Sequence, residues 1–369
     1  MIWSALPKFA RLLVDYCTGV KSGDEVIIRA GIGAYPLVRE MWGLIVERGA
    51  QPYFFVDDEV LAEIYYRRAP PELLDMVPDI VRAMTELVDV RISIISPSHT
   101  KPLTSVDPAK MARRRAALRD VSQTFLKRAA EGSLRWVVTA YPTHALAQEA
   151  GMSPLEYEEF VIKAVKAHLD DPVKAWEEQA AWQERIRGFL NKVSELRFVA
   201  EDTDITVRVE GRNWVNDDGK NNMPGGEVFT GPHEDGVDGY ITFTYPAVWG
   251  GREVEGVKLV FKNGKVVEAH ALRGEDFLLK MLDTDEGAKR LGEVAFGLNY
   301  DISRYTKEIL FDEKIGGTIH MALGAAYPET GGKNVSAIHW DMVKDMKKGK
   351  VYADGDLIYE NGRFIEEIF

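Results

Sequence analysis

Between residues 24 and 142, short β-rich runs alternate with stretches of helical periodicity, and this alternation restricts the fold more than any other feature of the chain. The runs are DEVIIRA (24–30), QPYFFVDD (51–58), VDVRISIISP (88–97) and LRWVVTAYP (134–142). Between them, YPLVREMWGLIVERGA (35–50) reads as an amphipathic helix ending at Gly49 and VLAEIYYRRA as a second helix. One long charged helix is predicted from about Pro108 to Glu131. Strands joined through helices of this length form parallel β-α-β units with right-handed crossovers. The expectation is an α/β N-terminal domain with a mostly parallel open sheet. GIGAYP (31–36) sits where a dinucleotide loop would lie, but Leu37 and Val38 stand where a third glycine is needed, so a tight strand-to-helix turn is the better reading.

The pattern changes along the chain. Residues 154–193 are helical, with charges that read as a solvated face. After about residue 194, segments such as DITVRVEG, GYITFTYPAVWGG and VEGVKLVFKNGKVVEAHA alternate polar and apolar residues between turn residues. Asn263-Gly264 and Asn361-Gly362 are two-residue hairpin signals. These patterns predict an N-terminal domain with a helical connector over 1–193 and a β-rich α+β domain over 194–369. The Trp-Asp pair in SAIHWDMV (336–343) does not mark a propeller blade, because no period of about 40–45 residues recurs.

Charge and cysteine usage exclude several function classes. Forty-six basic against 58 acidic side chains leave a net charge of −12, which disfavours nucleic acid and anionic membranes as partners. The single cysteine, Cys17, excludes an internal disulfide and a cysteine-based zinc knuckle, and reads as a small buried residue. No run of 18 apolar residues is present. The opening MIWSALPKFARLLVDYC reads as an amphipathic helix carrying Phe9, Leu12, Leu13 and Tyr16, not as a leader. A cytoplasmic protein is expected.

Side chains able to carry chemistry gather in the second half. NNMPGGEVFTGPHEDGVDGY (221–240) reads as a glycine- and acid-rich loop centred on Glu227, with a surface hairpin loop as its plain alternative. Glu293 interrupts the apolar AKRLGEVAFGLN, where a carboxylate is desolvated unless it meets a cation. The competing account of Glu293 is the charged edge of a helix. His320 lies in GGTIHMALGAAYP, which reads as a buried strand entering a glycine turn, with Tyr327 seven residues on. A lone histidine there is more often a satisfied core residue than a ligand. If 335–341 is a strand, His339 and Asp341 share one face and Trp340 takes the other. Oxygen and nitrogen donors of this kind suit Zn²⁺, Co²⁺ or Mn²⁺. Bridging-competent carboxylates with terminal histidine and aspartate are what a two-metal hydrolytic site requires.

The motifs MPGGEVFTGP, RLGEVAFG, IHMALGAAYPET and SAIHWDM resemble, in order and spacing, those of the M29 family of metallo-aminopeptidases. The stretch GDEVIIRAGIGAYPLVREMWGLIVERGAQPYFF is similar to that family's first β-α-β unit. The resemblance implies metal ligands at Glu227, Glu293, His320, His339 and Asp341, with Glu293 bridging and Tyr327 as the active-site tyrosine. Glu313, in FDEKIGG, aligns with a further acidic residue of the site. It also implies two divalent ions per chain (Zn, Co, Mn or Mg), peptide substrates with a free N-terminus, and a homodimer enclosing a cavity. Glu227 or Glu313 is then the proton carrier. Two other readings stand beside this one. A mononuclear non-haem iron ring-cleaving dioxygenase would use only His320, His339 and Asp341. A catalytically silent binding module would use none of them.

Overall fold

The computed structural model describes residues 2–368, which form two compact units. One comprises residues 1–175 and 219–224, the other residues 176–218 and 225–369. Among the described residues, no helix is long and apolar enough to cross a membrane.

The first unit is built on a five-stranded, all-parallel sheet in the order Gln51–Val56, Glu25–Ala30, Val90–Ile95, Arg135–Ala140 and Asn222–Met223. The first four strands follow the β-rich runs, and the crossovers between them are helical, as the alternation predicts. Helix Tyr35–Glu47 stops just before Gly49 and buries Leu37, Val38, Met41 and Ile45, its apolar stripe. GIGAYP is a tight turn, with the Gly31 N–H donating to Ser96 Oγ at 2.8 Å before helix Tyr35–Glu47 begins. The chain start is helix Ile2–Arg11 continued by a π-helical turn, Leu12–Cys17, with Phe9, Leu12 and Leu13 buried. Cys17 is buried and its Sγ donates to the Gly219 carbonyl at 3.1 Å.

The single helix expected from Pro108 to Glu131 is two helices, Pro108–Ala117 and Arg119–Ala130, meeting at Leu118, where ψ is 8°. No glycine or proline marks the break. The halves dock separately: Arg113 pairs with Asp75 of helix Pro71–Asp75, and Arg128 donates to the Thr85 and Val88 carbonyls at the end of helix Asp79–Leu87.

The second unit holds two larger antiparallel sheets. An eight-stranded sheet runs in the order 265–270, 258–262, 237–242, 203–208, 195–200, 350–353, 356–360, 363–364. Both Asn-Gly pairs form its two-residue hairpin turns, with φ values of 49° and 76° at Asn263 and Gly264 and 53° and 78° at Asn361 and Gly362. Asn and Gly tolerate that left-handed geometry best. A five-stranded sheet has the order His339–Asp345, Thr318–Gly324, Leu291–Gly297, Glu227–Thr230, Val215–Asp217. Phe296 of its central strand lies within 6.0 Å, ring to ring, of Phe198, Trp214, Tyr359 and Phe364, a cluster that joins the two sheets into one core.

Candidate metal centre

The period-two alternation of a strand sorts the five-stranded sheet into a core face and a site face. Ile319, Met321 and Leu323 go to the core, so His320 turns the other way. Val294 and Phe296 do the same for Glu293, and Trp340 and Met342 for His339 and Asp341. On the central strand the register shifts between Leu291 and Glu293, a bulge at Gly292. A Cβ on Gly292 would lie 2.2 Å from the Ala325 carbonyl, so only glycine fits. The bulge keeps Leu291 in the core while Glu293 stays on the site face.

Cross-strand register explains why these heads can meet. Glu227 lies opposite Gly297, His320 opposite Ala295, Glu293 and Asp341 opposite Ala322, and His339 opposite Gly324. On one side at least, each of these five side chains faces an alanine or glycine across the ladder, which leaves space above the sheet for long polar side chains to converge.

Glu293 is central. Its Oε1 is 2.9 Å from His320 Nε2 and its Oε2 is 3.4 Å from His339 Nε2. Glu227 Oε2 lies 3.3 Å from His320 Nε2, and Asp341 Oδ1 lies 3.5 Å from His339 Nε2. Donor atoms within 4.8 Å of one another form three sets: Glu227, Glu293 and His320; Glu293, His339 and Asp341; and Glu313, His320 and Asp341. Each imidazole is anchored through Nδ1 to a backbone carbonyl, His320 to Glu313 at 2.9 Å and His339 to Ala325 at 2.7 Å. That bond sets the ring orientation and presents Nε2 to the cluster.

All six ligand candidates read from the sequence thus meet on one sheet face, and Tyr327 joins them with its ring 4.8 Å from that of His339 and 5.6 Å from that of Phe229. Two details differ from the sequence reading. Glu227 is the first residue of a strand rather than the centre of a loop, because its backbone pairs with both Gly297 and Asp217. The strand bearing His339 begins at His339, not at Val335, yet the His339/Asp341 alternation holds. Trp340 is 1% exposed, and its Nε1 donates to the Val248 carbonyl at 3.2 Å.

Lys314 and Asp217 were not legible as site residues. Lys314 is fully buried, with Nζ 3.5 Å from Glu227 Oε1 and 3.6 Å from Asp217 Oδ2, and it also pairs with Glu313. In FDEKIGG it looks like one more solvated charge; only its position just before a wholly buried strand hints otherwise.

The electrostatics follow from five carboxylates held out of water around one ammonium and two imidazoles. Burial, partly opposed by Lys314, raises Glu227 well above the usual carboxylate range and raises Glu313 as well. For Glu293, burial is outweighed by the hydrogen bonds from His320 and His339, and its pKa is lowered. Burial disfavours a charged His320, but Glu293, Glu227 and Asp341 overcome it and raise its pKa to about 10; for His339 the same contest, led by Asp341, ends at about 12. Burial and the surrounding carboxylates push the Tyr327 hydroxyl up, so it stays protonated. Glu227 Oε2 and Asp341 Oδ1 are buried without a hydrogen-bond partner. Excess buried negative charge, orphaned carboxylate oxygens and Nε2-presenting histidines fit divalent cations.

The family described as thermophilic metalloprotease (M29) matches this chain over residues 3–364. The chain belongs to the M29 family. Among M29 relatives, Aminopeptidase T of Thermus thermophilus is 31% identical over 97% of this chain and 95% of its own length. Aminopeptidase 2 of Geobacillus stearothermophilus is 30% identical, over 96% of this chain and 98% of its own. The solved structure of wild-type AmpT from Thermus thermophilus superposes with a TM-score of 0.84 at 28% identity, covering 98% of this chain and 99% of that one.

Proposed function

We propose that this chain is a metal-dependent aminopeptidase whose C-terminal catalytic domain (194–369) holds two divalent ions, zinc, cobalt, manganese or magnesium. The observation that carries the two-metal reading is the divided carboxylate of Glu293, one oxygen toward each imidazole. Glu227, Glu293 and His320 hold one ion and Glu293, His339 and Asp341 the other, with Glu313 reaching the cluster from beside Lys314. Bound there, such a pair supplies Lewis acidity that polarises a peptide carbonyl and brings water close to hydroxide at neutral pH.

The protein's own groups do the rest. Tyr327, kept protonated, donates to the oxyanion that develops on the carbonyl. Within the cluster, Glu227 and Glu313 are the carboxylates whose pKa burial raises, as proton transfer near neutral pH requires. The acidic surroundings attract the free α-ammonium of a peptide, which favours cleavage after the first residue. A mononuclear iron centre would leave Glu227 and Glu293 idle inside the cluster, and a silent binding module gives no reason to gather so much buried charge. The reading also takes a cytoplasmic homodimer as the working form, which sedimentation of the purified protein tests.

The deciding experiment measures metal content together with turnover of aminoacyl amides and their N-acetylated counterparts. Two divalent ions per chain, activity lost on chelation and restored by Co²⁺ or Zn²⁺, and inert acetylated substrates are expected. Glu293→Gln should abolish turnover while the protein stays folded. Full activity in a metal-free sample would refute the proposal, and one iron per chain with oxygen consumption would favour the dioxygenase.

A further inference from the structure

A cavity of about 200 Å³ has His339 and Asp341 in its wall. It lies beyond the edge strand His339–Asp345, and the rest of its wall comes from the hairpin strand Ala247–Trp249 and the segment 305–312. Val248, Trp249, Tyr305, Ile309, Trp340 and Val343 supply its apolar lining. None of these side chains belongs to the metal cluster.

Apart from the cluster residues His339 and Asp341, the polar side chains in that wall are engaged inside the protein. The Tyr305 hydroxyl donates to the Pro246 carbonyl, and its ring stacks on Tyr245 at 4.9 Å and 8°. Trp340 Nε1 donates to the Val248 carbonyl. Lys307 is paired with Glu253 at 2.9 Å. Asp312 Oδ1 accepts from the Thr306 N–H at 2.7 Å and from its hydroxyl at 2.9 Å, and Glu308 accepts from the Leu310 N–H. Glu308 and Asp312 thus shape the loop that closes the cavity, and away from the metal cluster the surface left for a ligand is mainly apolar. A cavity of about 150 Å³ lined by aliphatic and aromatic groups is already large enough for benzene.

We propose that this cavity binds the side chain of the substrate's N-terminal residue and selects bulky apolar or aromatic side chains over small or acidic ones. The proposal rests on the aminopeptidase reading. In a substrate the first side chain branches from the carbon bonded to the scissile carbonyl, so its pocket must adjoin the groups that hold the metals. This cavity does so through His339 and Asp341, whereas the next residue's side chain is separated by the amide nitrogen and a further carbon. The Lys307 charge is offset by Glu253, so it is not left to pair with an Asp or Glu side chain entering the cavity. Ile309, 43% exposed, stands at the rim.

The test compares kcat/KM for the amides of Phe, Leu, Ala and Glu in the wild type, Ile309→Trp and Ile309→Ala. The wild type should favour Phe and Leu. Ile309→Trp should lower the Phe-to-Ala ratio by about tenfold, the scale at which hydrophobic pockets discriminate by size. Ile309→Ala should raise turnover of Trp amide relative to Leu amide, and it serves if the tryptophan variant does not fold. A ratio unmoved in folded, metal-replete Ile309 variants would overturn the assignment, as would a wild type that prefers Ala or Glu amides. If no amide is hydrolysed, the aminopeptidase reading fails, and the pocket is then read by fluorescence. Phenylalanine amide should cause a saturable change that Trp249→Phe diminishes; no such change would overturn the pocket as well.

Discussion

Lys314→Met isolates the contribution of the buried ammonium. The side chain is fully buried, and its Nζ serves Glu227 at 3.5 Å, Asp217 at 3.6 Å and Glu313. Methionine keeps the length and apolar bulk, so the loss is one of charge. Removing one partner of a buried ion pair costs about 3–5 kcal/mol, because the other partner remains desolvated and uncompensated. In the metal-free protein the cost should grow with pH. Without Lys314 the folded-state pKa values of Glu227 and Glu313, already raised, rise further above those of the unfolded chain. The folded variant then binds more protons than the unfolded one, and its stability falls as pH rises through that window. The variant should therefore lose more stability at pH 8 than at pH 5. With Lys314 gone, Glu227 Oε1 is no longer held, and affinity for an ion near Oε2 should fall about 10–100-fold, the usual effect of removing a group that orients a ligand. By linkage the metal-loaded protein should then lose more stability than the metal-free one, by the free energy of that same factor. Urea denaturation with and without metal, and competition against a chelating dye, give the two quantities. A folded Lys314→Met protein with wild-type metal-free stability at pH 8 and metal affinity within about twofold would refute the reasoning.

Four further outcomes are expected. Because His320 and His339 carry protons in the metal-free protein, with pKa values of about 10 and 12, metal binding at pH 7 must release protons; calorimetry in buffers of different ionisation enthalpy should show this, with affinity rising as pH rises. Those raised values also mean that their contribution to metal-free stability is fully present below the unfolded histidine pKa and is lost progressively as pH climbs from there through about 10 for His320 and about 12 for His339, which thermal unfolding across that range checks. Tyr327→Phe should reduce kcat by about 10²-fold with metal content unchanged, if the hydroxyl serves the oxyanion. Phe296→Ala should cost about 3–5 kcal/mol in urea unfolding of the metal-loaded protein, since it empties the aromatic cluster joining the two sheets.

Local pattern carried much of the architecture. The parallel strands, the amphipathic helix Tyr35–Glu47 and both Asn-Gly hairpins follow from periodicity and turn chemistry acting over a few residues. The split at Leu118 does not, because each half-helix answers to a different docking partner and no breaker residue records it. The two-residue strand Asn222–Met223 is likewise invisible: it pairs with a strand more than 80 residues earlier, and nothing in NNMPGG specifies that partner.

Within the site the same division holds. By itself the sequence determined that His339 and Asp341 share a face with Trp340 turned away, that Glu293 and His320 stand in apolar segments, and which family the motifs resemble, because strand alternation and motif spacing are local properties. Only the tertiary structure decided that Glu293 stands between the two imidazoles, that Glu227 begins a strand, and that Lys314 is withdrawn from water among three carboxylates. Cross-strand register set the first two of those relations, placing each ligand candidate on the sheet opposite an alanine or a glycine on one side at least. Register is fixed by pairing between segments far apart in the chain, and so is the burial that turns ordinary charged residues into a cluster able to bind metal.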